Sequence, residues 1–397
     1  MSQGAEHLLF DPFDVDMDEE KRFAIYERAR DEQPFMLHEG LRRVWSVFRY
    51  EDIFHIVHDH KRFPSVPELK GSFVILFDDP PEHSRLRKVV DETFSRRNIE
   101  RLRTNVATIA ETLLRDAIDA GEIDFYTEVA EPLFIRIICE ILGLPETDQD
   151  IFHHWSQEII KVDNLNLFTD PDPRKKWDLV LQPLFREVGE FLSPLIEQRI
   201  QSPADDLLSI LVENTRSGAM LSAEELYELA IMMVVGGEEA APLLLANAML
   251  LLDRYPEQQS LLWSEPDLVS SAVEEVLRFR PSFRNVERSV AADTNFQNVT
   301  LKTGDVLTCW LDSANRDERK FKRPEDFDIM RKFNPHLAFN RGTHMCLGNN
   351  LSRILAQETL KVLLRITQSF EVCGTPVPFP SPSLNGPQSL PVRLIPA

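Results

Sequence analysis

Apolar residues recur at helical spacing through most of this sequence, and that periodicity limits the chain to a predominantly helical fold. Long amphipathic segments run at about 97–119, 126–143, 147–161, 175–200, 267–279 and 346–368, with another from Ser222 to Leu252. A further helical pattern covers Asp18 to Arg30. The Ser222 segment opens with Ser222-Ala-Glu-Glu225, the spacing of a capping box. Strand-like stretches are short. LHEGLRRVWSVF reads as a hairpin turning at Glu39-Gly40, while Val299–Leu301 and Val306–Leu311 flank the turn Lys302-Thr303-Gly304-Asp305. No Gly/Ser-rich linker or internal repeat divides the chain, and its 26 prolines are spread through loops. The expected architecture is a single domain over 1–397, mainly α with a small β-rich part. Its β-rich pieces fall near 36–48, 283–311 and 370–397.

Charge and cysteine usage narrow the function classes. With 44 Lys+Arg against 65 Asp+Glu the formal charge is −21, which argues against general nucleic-acid binding and against docking on an anionic membrane. Cys139, Cys309, Cys346 and Cys373 are too few and too scattered for a disulfide scaffold. The acidic N-terminus lacks a basic region followed by an apolar run. The longest apolar stretch, Leu229 to Leu252, is interrupted by Gly236-Gly237-Glu238-Glu239. The reading is a cytoplasmic protein without a membrane anchor.

The chemistry concentrates in His336-Leu-Ala-Phe339-Asn340-Arg341-Gly342-Thr343-His344-Met345-Cys346-Leu347-Gly348. Cys346 follows a glycine-bearing turn and opens a helical pattern, so helix N–H groups and the positive end of the dipole would stabilise its thiolate. Gly342 and Gly348 remove side-chain bulk on either side, which lets a large flat ligand approach the sulfur. A lone cysteine is ordinarily just a small buried hydrophobe. Here the glycines, His and Phe at fixed offsets outweigh that reading.

This stretch resembles the haem-binding signature of the cytochrome P450 family, the haem-thiolate monooxygenases, in their soluble bacterial form. The pattern is Phe339-x-x-Gly342-x-His344-x-Cys346-x-Gly348, which makes Cys346 the axial iron ligand by resemblance. Four further segments agree in order. Glu275-Val-Leu-Arg278 is similar to the family's structural Glu-x-x-Arg pair, and Asp79-Pro-Pro-Glu-His83-Ser-Arg-Leu-Arg87 resembles the helix that grips a haem propionate. Asn315-Arg-Asp through Pro324-Glu-Asp-Phe327-Asp resembles the approach to the Cys loop, and Leu384-Asn-Gly386 through Arg393 the final family turn. The resemblance implies the P450 fold, with haem b sandwiched between a long central helix and the Cys-loop helix. It also implies haem contacts from His83, Arg87, Arg288, Phe339, His344 and Gly348. Buried cationic partners suit anionic propionates, and a thiolate ligand favours O–O cleavage. By the same resemblance the substrate pocket is lined by Phe73, Phe77, Phe168, Val234, Val235, Phe283, Arg284 and Leu384, which describes a mainly apolar cavity.

Two positions depart from the family pattern. Glu238 keeps an acid that members usually carry in the central helix, but Glu239 stands where their threonine does. That hydroxyl ordinarily helps hand protons to the oxygen being activated, so Glu238 and Glu239 become the expected distal proton-handling pair. Pro242 cannot donate to the Glu238 carbonyl, and the helix should open there. Asn340 replaces a usual Gly, and Asn is among the residues most tolerant of positive φ.

The expected activity is insertion of one oxygen atom from O2 into a small, mostly apolar substrate. Electrons would come from a separate ferredoxin and an NAD(P)H-dependent ferredoxin reductase. An alternative is an H2O2-driven peroxygenase with Glu239 as distal acid and base; another is a non-catalytic haem-thiolate binding or sensing protein. Arg96, Arg97, Arg101 and Arg103, with Arg331, Lys332 and Arg341, are expected to form a basic patch for an acidic ferredoxin. His55, His58 and His60 read as a polar helix face rather than a metal site.

Overall fold

The computed structural model describes residues 11, 14–40, 42–67, 75–144, 151–152, 154–155, 157–158, 172–216 and 221–397, without the side chains of Pro173, Lys176, Trp177, Val180 and Val235. The helix expected over 147–161 therefore lies largely outside the described residues.

Helices form where the periodicity placed them, and local chemistry sets their ends. Asp18 caps the first helix, Glu19–Glu32, by accepting from the Glu20 and Lys21 N–H groups. The capping box of Ser222 and Glu225 is present in both directions and starts the helix Ala223–Val235. Three expected segments prove to be composite. The 97–119 pattern divides into Arg96–Ile99, a 3-10 turn and Arg103–Ala120. The 126–143 pattern starts with a π turn, Tyr126–Ala130, before the helix Glu131–Leu142. Ser222 to Leu252 is two helices, Ala223–Val235 and Ala240–Arg254, separated by an open turn at 236–239. The break has the cause expected of it, because Pro242 lacks the N–H that would reach the Glu238 carbonyl. Glycine delays one start as well: the last helix begins at Asn349 rather than at Cys346.

The main sheet places Phe35–Glu39, Arg43–Val47, Val306–Trp310 and Asn285–Ser289 side by side, with the middle two strands parallel. Val299–Leu301 pairs instead with Thr294–Phe296, so the two strands around Gly304 belong to different sheets. The C-terminal strand Pro391–Pro396 joins Thr367–Val372 to Glu122–Asp124. One large apolar core links the two helices that flank the break with Arg103–Ala120, Glu131–Leu142 and Asn349–Ile366. Among the described residues, no helix is long and apolar enough to cross a membrane.

A buried ion pair ties the sheet side to the segment before Cys346. Arg278 donates to both oxygens of Glu275 at 2.8 Å, and neither side chain is exposed at all. Arg278 also reaches the carbonyls of Asn315, Pro324 and Asp326, while Glu275 accepts from Arg331, Asn334 and the Asp328 N–H. Removing one partner of such a pair leaves buried charge uncompensated. Glu275→Leu is therefore expected to cost about 3–5 kcal/mol, read as a lower urea midpoint with little change in slope.

Candidate active site

A cavity of about 540 Å³ lies between the helix break at 236–239 and the Cys346 loop. The loop is shaped by backbone conformation first. Asn340 takes the left-handed conformation, φ 57°, and its side chain accepts from the Arg341 N–H at 2.8 Å. Gly342 follows at φ 70°, where a Cβ would fall 2.6 Å from the Val57 carbonyl oxygen. Glycine is thus demanded twice, by φ and by the neighbouring helix. The Cys346 N–H donates to the Phe339 carbonyl at 2.9 Å, which closes the loop and leaves the sulfur in the cavity wall. Burial pushes the Cys346 thiol up, while the Gly348 N–H and the cations Arg87 and Arg353 pull the other way. Arg353 also stacks its guanidinium 4.6 Å from the Phe339 ring centre.

Four residues expected to grip propionates converge beside this sulfur. His83, Arg87, Arg288 and His344 all line the cavity. The His344 Nε2 lies 3.1 Å from both Ser65 Oγ and Asp79 Oδ1, and its ring is 4.5 Å from that of His83. Arg87 donates to Asp91 at 2.7 Å and to the Met345 carbonyl at 2.8 Å. Arg288 is buried and donates from Nη1 to the Glu287 carbonyl, whereas its Nη2 and both ring nitrogens of His83 have no hydrogen-bond partner among the described residues. Burial, followed by His344 and Arg87, lowers the His83 pKa to about 4. Buried donors left unsatisfied around a cavity are costly unless something supplies acceptors. The anionic carboxylates of a haem would do so, and the residues present fit that group.

The distal wall separates the two glutamates. Glu239 lines the cavity together with Gly236, Gly237 and Ala240. Glu238 is turned away from it, wholly buried, and neither of its carboxyl oxygens has a hydrogen-bond partner among the described residues. Burial first, then Glu239 and Glu131, pushes the Glu238 carboxyl well above the usual range. The expected distal pair is thus split, with one acid in the cavity wall and the other behind it.

The substrate-facing residues also divide. Phe77, Phe283 and Leu384 line the cavity, and Phe283 and Leu384 form a β-bridge across its edge. Val234 is buried in helix packing instead. Arg284 corrects the expectation more clearly: it is turned from the cavity to donate to the Ser381 carbonyl at 3.1 Å and to the Leu384 carbonyl. It staples the bridge that carries its neighbours. Phe73, Phe168 and the Val235 side chain lie outside the described residues. Sequence reasoning missed Phe134, Ile138, Leu181, Met232 and Leu244 in the wall. All sit in helical patterns where a core position and a cavity position look alike.

The basic patch is smaller than expected. Arg331 is only 9% exposed and spent on Glu275, and Arg103 is held by Glu100 and Glu358. Arg96, Arg97, Arg101 and Lys332 are exposed. The histidines at 55, 58 and 60 join no metal-binding group: among the described residues no cluster of three or more His, Cys, Asp or Glu is placed to hold an ion.

Comparison with known proteins agrees with this geometry. The family described as Cytochrome P450 matches residues 19–390. The putative cytochrome P450 YjiB of Bacillus subtilis strain 168 is 32% identical over 375 residues, covering 94% of this chain and 93% of its own. The methyl-branched lipid omega-hydroxylase of Mycobacterium tuberculosis strain H37Rv is 32% identical over 365 residues, 88% of this chain and 83% of its own. The crystal structure of CYP109E1 from Bacillus megaterium in complex with testosterone superposes with a TM-score of 0.87 at 28% identity, over 96% of this chain and 98% of that one. With the match running from the first helix into the last sheets, the chain belongs to the cytochrome P450 family and is one of its monooxygenases.

Proposed function

We propose that this protein binds haem b through Cys346 and inserts one oxygen atom from O2 into a mostly apolar organic molecule, with separate redox proteins supplying electrons. The observation that carries this reading is the placement of a glycine-flanked thiol and a carboxyl, Glu239, on opposing walls of one cavity. When bound, the haem would supply oxygen activation, and a thiolate ligand favours O–O cleavage. The remaining work belongs to the chain. Arg288 and His83 would donate to the haem carboxylates, with His344 and Arg87 beside them. Phe339 and Gly348 leave a flat face over the sulfur. Phe77, Phe283, Leu384 and their neighbours exclude water and hold a mostly apolar substrate by shape. The testosterone held by CYP109E1 and the methyl-branched lipids of the omega-hydroxylase are of that kind. Glu239 presents its carboxyl to the cavity at the place where relatives of this family carry a threonine hydroxyl, and there it can take up and release a proton.

A second reading is favoured by that same residue. A carboxyl in the distal wall can take a proton from H2O2 and return it, so peroxide would replace O2 and the redox partners. Purified enzyme supplied with H2O2 alone, or with O2 together with NAD(P)H and the redox partners, separates the two.

The reduced carbon monoxide adduct should show the red-shifted Soret band of thiolate ligation, and Cys346→Ser or Cys346→His should abolish it. A wild-type spectrum like that of a histidine-ligated globin would remove the assignment. Glu239→Gln is expected to lower peroxide-driven turnover by about 10²-fold, the scale of lost acid–base help. Glu239→Thr should retain more of the NAD(P)H-driven than of the peroxide-driven activity. Equal turnover of both variants with both oxidants would make Glu239 a bystander.

Partner docking has its own test. Arg96–Ile99 packs against the start of the helix that follows Cys346, where the Asn350 amide donates to the Phe94 carbonyl at 3.3 Å. Reversing the charge of Arg97 and Arg101 should slow reduction by an acidic ferredoxin strongly at low salt and little at high salt. Stopped-flow reduction insensitive to both variants would place the dock elsewhere.

A further inference from the structure

We infer that protons reach Glu239 from a second cavity on the far side of the helix break, by way of Glu131, Tyr126 and Glu238. This rests on the reading of Glu239 as the proton-handling group of the distal wall. The second cavity, about 310 Å³, is lined by Asp124, Tyr126, Glu131, Gln157, Phe379 and Ser389 among others. It shares no lining residue with the first. Glu131 opens the helix Glu131–Leu142, and Phe134, one turn later, lines the Cys346 cavity. Phe134 presses on the break so closely that a Cβ on Gly237 would lie 3.1 Å from its ring. Glu238 is the next residue after this contact, and its carboxyl faces Glu131, which lines the second cavity.

Glu238 has the properties of a shuttle rather than of a structural acid. Structural buried carboxylates are paired or hydrogen-bonded, but both Glu238 oxygens lack a partner among the described residues, as does the Tyr126 hydroxyl. The titratable groups that face Glu238 are Glu239 on its own segment and Glu131 from the helix packed against it. Tyr126 faces all three acids, and its backbone N–H donates to Asp124 at 3.0 Å. With no cation among these neighbours, burial first and the nearby acids second push the Glu238 carboxyl and the Tyr126 hydroxyl well above their usual ranges, which favours the neutral form of each. A neutral, unbonded acid between two other acids can turn from one to the other.

The transfers balance without electrons. Glu238 gives its proton to the Glu239 carboxylate and becomes a carboxylate itself. It then takes a proton from Glu131 through the Tyr126 hydroxyl, which accepts one proton as it releases another. Water in the second cavity restores the proton to Glu131. The net movement is one proton from that cavity to Glu239.

Infrared difference spectroscopy on the haem-loaded enzyme tests this without relying on turnover. A protonated-carboxyl band should be present at neutral pH and vanish in Glu238→Gln. After transfer to deuterium oxide, that band should shift about tenfold more slowly in Glu131→Gln and in Tyr126→Phe, equivalent to about 1.4 kcal/mol on the barrier. Glu131→Asp, which keeps the acid, should restore most of the rate. Wild-type exchange rates in both variants, or a band that survives Glu238→Gln, would overturn the relay. If Glu131→Gln does not fold, Tyr126→Phe loses one oxygen only and decides alone, a wild-type rate again overturning the proposal. The reduced carbon monoxide spectrum of the wild type separates the two readings. Its absence would fault the haem-thiolate assignment, whereas a normal spectrum with unaltered exchange faults only the relay.

Discussion

The Glu275 carboxylate is where the segment leading to Cys346 is tied to the rest of the molecule. It is wholly buried, yet it accepts from Arg278, Arg331, Asn334 and the Asp328 N–H, while Arg278 spends its remaining donors on three carbonyls between 315 and 326. A buried charge with every bond satisfied defines one arrangement, because any slip of the 315–334 segment would strand part of it. The Cys346 loop inherits its position from this anchor. Its own turn then needs only local chemistry: a left-handed Asn340, a left-handed Gly342 against Val57, and the Cys346 N–H on Phe339.

The distal side is built on the opposite principle. There the helix hydrogen-bonding is deliberately incomplete, since Pro242 removes a donor and the turn at 236–239 opens. The Ser282 hydroxyl holds the Ala240 carbonyl at 2.7 Å, just past the break. The final turn locks on from another direction, with the Asn247 amide donating to the Asn385 carbonyl at 2.7 Å. The opening is thus braced on both sides while its acids stay unpaired or face the cavity. A fully bonded Glu275–Arg278 anchor thus stands behind the Cys346 loop, while beside the break the Glu238 carboxyl is buried with no hydrogen-bond partner among the described residues.

Much of this was legible in the residues. The helix pattern, the capping box at Ser222 and the tolerance of Asn340 for positive φ are local properties, and each survives in the fold. The expectation of an opened helix before Pro242 rested on a missing N–H, which no tertiary contact can restore. Arg284 and Arg331 were misjudged for a shared reason. A cation's sequence neighbourhood says nothing about whether distant carbonyls or carboxylates will claim it, and here Ser381, Leu384 and Glu275 do.

What the sequence by itself determined is the set of backbone constraints: where helices start, where one must open, and where a cysteine sits at a helix start between glycines. These follow from φ preferences and missing donors, which act within a few residues. Only the tertiary structure decided the facing of side chains. Glu238 and Glu239 are adjacent and chemically identical, and helix geometry turns consecutive residues about 100° apart, so one of them had to leave the cavity. Which one depends on the phase of a broken helix pressed against Phe134, and that phase is set by packing between segments a hundred residues apart.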